Sequence, residues 1–266
     1  MPATDLSLLI DAAQEAGQIA TRYSGPQAQR WDKPDGAGPV TEADLAVNEM
    51  LERKLQSARP GYGWLSEETE DTDDRLGKDA VFIIDPIDGT RSFAEGSKTW
   101  AHSLAISENG IVTAAVIYLP MRDLLYAAAA GQGATLNGTP IQVSEPGGLT
   151  EAEVLAAKPN LAPHHWQAGN VPEFKRVYRP SLAYRMALVA QGRFDGMLTL
   201  RPSWEWDIAA GDLILREAGG YCTDRKGTAL RFNNAHPRLN GVLAAGAHLH
   251  EVLLGQLDQT SAGLPE

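Results

Sequence analysis

Two carboxylates stand three residues apart in the segment Asp85-Pro86-Ile87-Asp88-Gly89-Thr90, directly after a run of bulky apolar residues. The run, 81–84, is typical of a buried strand that Pro86 ends, and Gly89-Thr90 is expected to turn the chain into a short helix over 91–94. Carboxylates can hold hard cations at such a turn, and the free N–H groups of a helix start can hold an anion. The segment therefore indicates phosphate chemistry, with an acidic turn that only ends a strand as the alternative.

Three further segments place carboxylates at the ends of predicted elements. Asp44 follows Thr41 at the spacing of a helix capping box, so a cap alone would also explain it. Glu67 stands directly after a short apolar strand, where its side chain can point into a cleft. Asp207 precedes an apolar helix predicted over 208–218, either as its N-cap or as a buried carboxylate that needs a partner, because burying an unpaired charge is costly.

Bound Mg²⁺ would account for the carboxylates of all four segments together. Mg²⁺ takes oxygen ligands, and two or three ions about 3.5–4 Å apart can clamp a phosphate ester and activate a water. Thr90 would help to orient that water while Glu67 accepts its proton. The six histidines are scattered, and the adjacent pair His164-His165 lacks metal-ligand spacing, which argues against a zinc site.

The composition narrows the class of protein. A chain of 266 residues with 43% hydrophobic residues suits one large domain or two closely packed ones. The net charge of −11 argues against a surface that coats nucleic acid, whereas a small anionic substrate can still bind next to divalent cations. We expect no membrane span, no secretory signal and a cytoplasmic protein. The single cysteine, Cys222, fits a reducing compartment and is expected to be a buried structural thiol.

The hydrophobic pattern predicts two α+β halves, 1–148 and 149–266. The first half begins with two helices, from Leu6 to Tyr23 and from about Thr41, and continues with short strands separated by tight turns, which indicates an antiparallel sheet. In the second half strands and helices alternate, with the helices at 182–191, 208–218 and 249–257. A ligand cleft is expected between the halves.

Four blocks together resemble the inositol monophosphatase family of Mg²⁺-dependent, lithium-sensitive phosphatases. They occur in the order and spacing of that family, at 38–44, 65–69, 85–90 and 206–211, with a weaker block at 183–192 followed by Asp195. The resemblance implies a layered α/β/α/β sandwich with the active site between its halves. The N-terminal half would hold most metal ligands, and the C-terminal half would supply Asp207 and the leaving-group pocket.

The resemblance also implies a role for each site residue. The ligands of the first metal would be Glu67, Asp85 and the carbonyl of Ile87, and those of a second metal Asp85 again, Asp88 and Asp207. Gly89 and Thr90 would hold the phosphate through backbone N–H groups, and Asp44 would act from the outer shell on the water or on a third metal. Substrate would thus lie against Ile87, Asp88, Gly89, Thr90 and Asp207.

Within the family, Glu205-Trp206-Asp207 is most similar to the CysQ-type 3′(2′),5′-bisphosphate nucleotidase branch, which acts on adenosine 3′,5′-bisphosphate. Glu205, Arg185 and Tyr184 are therefore candidate leaving-group contacts, although Arg185 would equally suit a helix surface. The alternatives are an inositol-1-phosphate or other sugar-phosphate phosphatase on the same site, and a non-catalytic regulator that binds cations or phospho-ligands. The implied partner is a small phosphorylated substrate rather than a nucleic-acid polymer, and members of the family are often homodimers.

Overall fold

The structure, a computed structural model, describes residues 4–23, 29–33 and 38–260. Helix α1 (Asp5–Tyr23) packs against α2 (Glu42–Ala58), and β1 (Arg30–Asp32) pairs with β2 (Pro39–Thr41) just before α2. At the start of α2 the Thr41 hydroxyl accepts a hydrogen bond from a backbone N–H, and the Asp44 carboxylate accepts one from the Thr41 N–H. The predicted capping box is therefore confirmed.

A seven-stranded sheet follows, with its strands side by side in chain order. Its strands, with the α-helix that follows β4, are β3 (Gly63–Ser66), β4 (Ala80–Asp88), α3 (Thr90–Ala94), β5 (Ala101–Glu108), β6 (Ile111–Leu119), β7 (Leu124–Ala129), β8 (Ala134–Leu136) and β9 (Thr139–Pro140). The predicted antiparallel arrangement holds except between β3 and β4, which are parallel. The long connection over 67–79 allows this, because a parallel pair needs a crossover of a dozen or more residues.

The sequence predicted that β4 ends at Pro86, but the strand continues to Asp88. Asp85 lies opposite Ser103 and Asp88 opposite Ala101, so the two residues Pro86 and Ile87 face a single residue of β5. This is a β-bulge, where a proline is tolerated because its missing N–H is not needed by the ladder. The bulge bends the strand at the point where both of its carboxylates are presented.

The second sheet has five strands in the order β11-β10-β12-β16-β14, and its first three strands are parallel. The elements of this part are β10 (Glu153–Ala156), β11 (Lys175–Val177), α4 (Leu182–Ala190), β12 (Gly196–Thr199), β13 (Ser203–Trp204), α5 (Glu205–Glu217), β14 (Tyr221–Thr223), β15 (Arg238–Leu239), β16 (Val242–Ala245) and α6 (Ala247–Gln256). Helix α5 begins three residues earlier than predicted. Asp207 is therefore its third residue and not its N-cap, which is Trp204.

Three clusters of buried side chains stack these elements into layers. The first joins α1 and α2 to one face of the large sheet, the second packs α4 and α5 between the two sheets, and the third packs α6 on the outer face of the small sheet. The predicted layered α+β sandwich is confirmed. The two sheets lie on either side of residue 148, but the second cluster, between the sheets, contains side chains from both of them. The division into 1–148 and 149–266 therefore stays a prediction. Cys222 is buried, as expected. None of the described helices is long and apolar enough to cross a membrane.

Candidate metal centre

Within the described ranges, Asp85, Asp88 and Asp207 form the one group of three potential ligands close enough to hold a single metal ion. Each offers a carboxylate oxygen, and these oxygens all lie within 4.8 Å of one another. The bulge of β4 presents the first two, and the first turn of α5 presents the third. Residues 122 positions apart in the chain thus meet at one point, where β4 and α5 pack together.

Asp85 carries the strongest indication that the site is built for a cation. Both of its carboxylate oxygens are buried and neither has a hydrogen-bond donor. Burial raises the pKa of this carboxyl well above its usual value, and the charges of Glu67, Asp88 and Asp207 raise it further. A buried carboxylate without a partner is costly, and a hard cation supplies the missing interaction with oxygen ligands. The donor set therefore fits a divalent cation of the Mg²⁺ type.

Hydrogen bonds orient Asp88, and the charge of Asp88 acts on Asp207. Asp88 Oδ2 accepts hydrogen bonds of 2.7 Å from the Ser181 hydroxyl and from the Ala183 N–H at the start of α4. Burial still raises the pKa of Asp88, against these two hydrogen bonds. Burial and the charge of Asp88 raise the pKa of Asp207, while Arg201 lowers it. Both carboxyls are therefore held in a shared site where negative charge is crowded.

Asp44 lies beside this site and reaches it through Thr90. Its Oδ2 accepts from the Thr41 N–H at 2.8 Å and from the Thr41 hydroxyl at 2.6 Å, while its Oδ1 accepts from the Thr90 hydroxyl at 3.2 Å. The Thr90 hydroxyl also lies 3.1 Å from the Ile87 carbonyl, and its single proton can serve only one of these acceptors at a time. Burial raises the pKa of Asp44 to about 6, although the hydrogen bonds from Thr41 lower it.

Glu67 lies next to the triad, but its carboxylate forms an ion pair with Lys33. Lys33 Nζ lies 2.9 Å from Glu67 Oε1 and 2.7 Å from Glu68 Oε1, so one ammonium joins both carboxylates. Burial outweighs the pairing with Lys33 and raises the pKa of Glu68 to about 7. The charge of Glu67 still acts on Asp85 and Asp207, because it raises the pKa of both. The predicted roles of Glu67 as ligand and proton acceptor stay predictions.

Gly89 connects the bulge to α3 in a backbone conformation that favours glycine. Its φ is 98°, and it is the N-cap of α3. A Cβ at this position would meet Ser181, Thr99 and Trp100 atoms at 3.5 Å, so the positive φ constrains the residue type more than the space does. The predicted phosphate contacts of Gly89 and Thr90 stay predictions.

Glu205 holds a neighbouring loop. Its carboxylate accepts from the Asn233 N–H at 2.7 Å, from the Asn234 N–H at 2.9 Å and from the Asn234 side-chain amide at 2.6 Å. Arg75 donates to the Asn233 side chain and to the Asn234 carbonyl and pairs with Asp71, so the acidic loop after β3 is tied to the first turn of α5. The geometry thus gives Glu205 a structural contact, and its substrate role stays a prediction.

Arg185 and Tyr184 lie in the first turn of α4, the helix whose Ala183 N–H donates to Asp88. The Arg185 guanidinium donates to the Arg179 carbonyl at 2.7 Å and lies 5.0 Å from the centre of the Tyr178 ring. Burial lowers its pKa, while the charges of Asp88 and Asp207 raise it, so it is close to the triad. The Tyr184 hydroxyl accepts from Arg122 at 2.6 Å.

Two tryptophans, Trp204 half-buried and Trp206 buried, lie against each other at the start of α5. The rings of Trp204 and Trp206 stack with centroids 4.7 Å apart and an interplanar angle of 11°. The Arg238 guanidinium lies 4.8 Å from the centre of the Trp204 ring. Both rings therefore lie just before Asp207 in sequence, and Trp204 is contacted by both Trp206 and Arg238.

Three residues near the site were not anticipated. Ser181 could have been recognised, because it is a polar N-cap directly before an apolar helix. Lys33 and His102 could not, because their importance depends on contacts distant in sequence. His102 lies opposite the bulge, and its Nδ1 is 2.5 Å from the Pro86 carbonyl. Burial lowers the pKa of His102 to about 4.

Comparisons with known proteins identify the family of this chain. The model of the inositol monophosphatase family matches residues 2–262. The chain is 34% identical over 239 residues to an inositol-1-monophosphatase of Rhizobium meliloti, covering 84% of this chain and 86% of that protein. It is 34% identical over 234 residues to a histidinol-phosphatase of Chlorobaculum parvum, with coverages of 84% and 86%. The crystal structure of the extragenic suppressor protein SuhB from Bartonella henselae superposes with a TM-score of 0.77 at 30% identity, covering 96% of this chain and 98% of that one. The chain therefore belongs to the inositol monophosphatase family of metal-dependent phosphomonoesterases.

Proposed function

We propose that this protein is a Mg²⁺-dependent phosphomonoesterase whose preferred substrate is a nucleoside 3′,5′-bisphosphate such as adenosine 3′,5′-bisphosphate. The metal dependence rests on one observation above all, the two buried oxygens of Asp85 that have no donor. Asp85, Asp88 and Asp207 would hold the ions, together with Glu67 and the Ile87 carbonyl. Two or three bound Mg²⁺ ions would neutralise the phosphate and lower the pKa of a water.

The protein's own groups would then control the attacking water. The Thr90 hydroxyl, when it donates to Asp44, keeps its oxygen lone pairs available to accept a hydrogen bond from that water. Glu67 would accept the proton that the water loses, since its carboxylate lies next to the triad and is only partly buried. Gly89 and Thr90 would hold the phosphate with their backbone N–H groups.

The preference for a bisphosphate rests on the positive charge beside the triad. Arg201 and Arg185 are close enough to Asp207 to lower its pKa. A second phosphate gives these guanidinium groups a partner, which inositol 1-phosphate lacks, and binding of such a remote group can lower the barrier at the reacting centre. The half-buried Trp204 ring, just before α5, would be the aromatic contact of the base.

A phosphate-release panel tests the proposal. We expect Mg²⁺-dependent turnover that EDTA abolishes, and a higher kcat/KM for adenosine 3′,5′-bisphosphate than for inositol 1-phosphate or fructose 1,6-bisphosphate. Arg201→Ala would raise KM for the nucleotide by about tenfold, the equivalent of about 1.4 kcal/mol, and leave inositol 1-phosphate almost unaffected. Arg22→Ala, at the end of α1, is the matched control and would change neither. Equal or better efficiency on inositol 1-phosphate would refute the nucleotide preference and leave the phosphatase activity intact.

An inositol-1-phosphate phosphatase is the second candidate, because the Rhizobium meliloti relative carries that name at 34% identity. Both substrates would place a phosphate at the same metal site, so the carboxylates cannot discriminate between them. The relative kcat/KM values in the same panel therefore distinguish the two candidates. A complete lack of turnover on every phosphate ester, with normal Mg²⁺ binding, would instead favour the non-catalytic regulator. Cytoplasmic location and assembly as a homodimer stay predictions.

A further inference from the structure

We propose that His102 is a positioning residue for the metal centre, which it serves by fixing the orientation of the Pro86–Ile87 peptide through the Pro86 carbonyl. The inference rests on the proposed function, because it concerns how tightly the site binds Mg²⁺. His102 belongs to β5 and is the single residue that faces the bulge. It therefore acts on the backbone that carries the ligands and touches none of the carboxylates of the triad.

The contact has a defined direction. The Pro86 carbonyl can only accept a hydrogen bond, so His102 Nδ1 must carry the proton and donate it across 2.5 Å. A peptide unit is planar, and fixing this carbonyl also fixes the Ile87 nitrogen and the path of the chain into Asp88. On the far side of the bulge the Thr90 hydroxyl lies 3.1 Å from the Ile87 carbonyl. Side chains thus lie against two consecutive carbonyls of the bulge, His102 at Pro86 and Thr90 at Ile87.

The strand places His102 behind the site. Side chains alternate between the two faces of a strand, and Trp100 and Leu104 belong to the cluster formed with α1 and α2. His102, between them, shares that face. Ser103 points the other way and donates from its hydroxyl to the Trp206 carbonyl at 2.9 Å, on the side of α5 and Asp207. His102 can therefore influence the metal centre only through the backbone of β4.

The cost of keeping a histidine here favours a function over simple packing. His102 is fully buried, and its Nε2 has no hydrogen-bond partner, so an apolar side chain would avoid a desolvation cost. The ring packs edge-on to Trp100 with centroids 5.4 Å apart and lies 6.4 Å from the Tyr118 ring, which restricts its rotation. A donor locked by packing is what a site of fixed geometry requires from its supporting residues.

Three variants and a control test the proposal. His102→Phe keeps a ring and removes the donor, His102→Asn keeps an N–H near the position of Nδ1, and His102→Gln carries its N–H too far out to replace it. Leu104→Ala removes a fully buried neighbour on the same face of β5 that lies opposite Ile84 and donates no hydrogen bond to the bulge. Mg²⁺ affinity is measured by titration calorimetry and by the increase of Tm with MgCl2, and kcat is measured at saturating Mg²⁺.

We expect His102→Phe and His102→Gln to weaken Mg²⁺ binding by about 10–100-fold, the usual effect of losing a supporting contact to a metal ligand, and His102→Asn to stay close to the wild type. Leu104→Ala lowers Tm without changing Mg²⁺ affinity. Unchanged affinity in His102→Gln, or an equal loss in Leu104→Ala, would overturn the positioning role while leaving the proposed function standing. A wild-type protein that binds no Mg²⁺ would instead overturn the proposed function, and with it this inference.

Discussion

Asp85→Asn is the most informative single substitution, because it moves activity and stability in opposite directions. The Asp85 carboxyl is buried without a donor and is crowded by Glu67, Asp88 and Asp207. Its pKa is raised well above the usual value of 3.8, so the native state holds a proton that the unfolded state releases. Stability conferred by this position is therefore lost as pH rises above 3.8 towards the native pKa. Asparagine has the same shape and does not titrate.

The magnitude follows from linkage. Holding one proton at pH 7 against an unfolded pKa of 3.8 costs 1.36 kcal/mol per pH unit, and so at most about 4 kcal/mol. We expect Asp85→Asn to be more stable than the wild type in the metal-free protein at pH 7, by no more than this amount, and to have a correspondingly higher Tm. At pH 4 the difference disappears. The same substitution removes a ligand of the proposed metal site, so kcat is expected to fall by about 10³-fold.

Thermal unfolding in EDTA and in MgCl2, at pH 4 and pH 7, measures the first effect, and phosphate release measures the second. Asp195→Asn is the matched control, because its two carboxylate oxygens accept 2.7 Å hydrogen bonds from the Ser144 hydroxyl and the Glu153 N–H. It is expected to lower Tm and keep kcat. The reasoning is refuted if Asp85→Asn in EDTA at pH 7 is no more stable than the wild type. Near-normal kcat at saturating Mg²⁺ would contradict the metal assignment itself.

Two further predictions concern neighbouring carboxylates. Burial raises the pKa of Asp44 from 3.8 to about 6, so relative to Asp44→Asn the metal-free wild type is expected to lose about 3 kcal/mol between pH 4 and pH 6. Urea unfolding across this range tests it, and a difference independent of pH would count against a raised pKa. Glu205→Gln places an amide against the N–H donors of Asn233 and Asn234, which is expected to cost about 1–3 kcal/mol and to lower Tm. A higher KM for the bisphosphate at unchanged Tm would show that Glu205 contacts substrate instead.

Most elements of the fold could be predicted from the sequence, because apolar periodicity depends on neighbouring residues. The capping box of α2 and the strands of the large sheet belong to this class. The parallel pairing of β3 and β4 could not be predicted, because the direction of a strand depends on where its connection crosses the sheet. Pro86 was wrongly taken as the end of β4, since a proline in a bulge looks the same in sequence as a proline that stops a strand.

The site was predictable where a motif fixes local geometry and unpredictable where a contact joins distant segments. Asp85 and Asp88 lie in one segment, and the structure brings Asp207 to them. The link from Lys33 to Glu67 crosses 34 residues and the link from Glu205 to Asn233 crosses 28, and no local pattern marks either partner. The contact between His102 and Pro86 arises from strand pairing and could be inferred only once the register was known.

The cluster of buried side chains between the two sheets affects how the chain folds during its synthesis. The seven-stranded sheet is complete at Pro140, but one of its faces is covered by α4 and α5, and α5 ends at Glu217. At a synthesis rate of about 5–20 residues per second, the intervening segment of about 80 residues takes roughly 4–15 s to appear. During that interval the apolar side chains around Ile83 and Ile117 lack their cover, and a nascent chain in this state is a natural client for chaperones. Asp207 lies on the same helix that closes the face, so on the ribosome the core and the carboxylate triad are completed together.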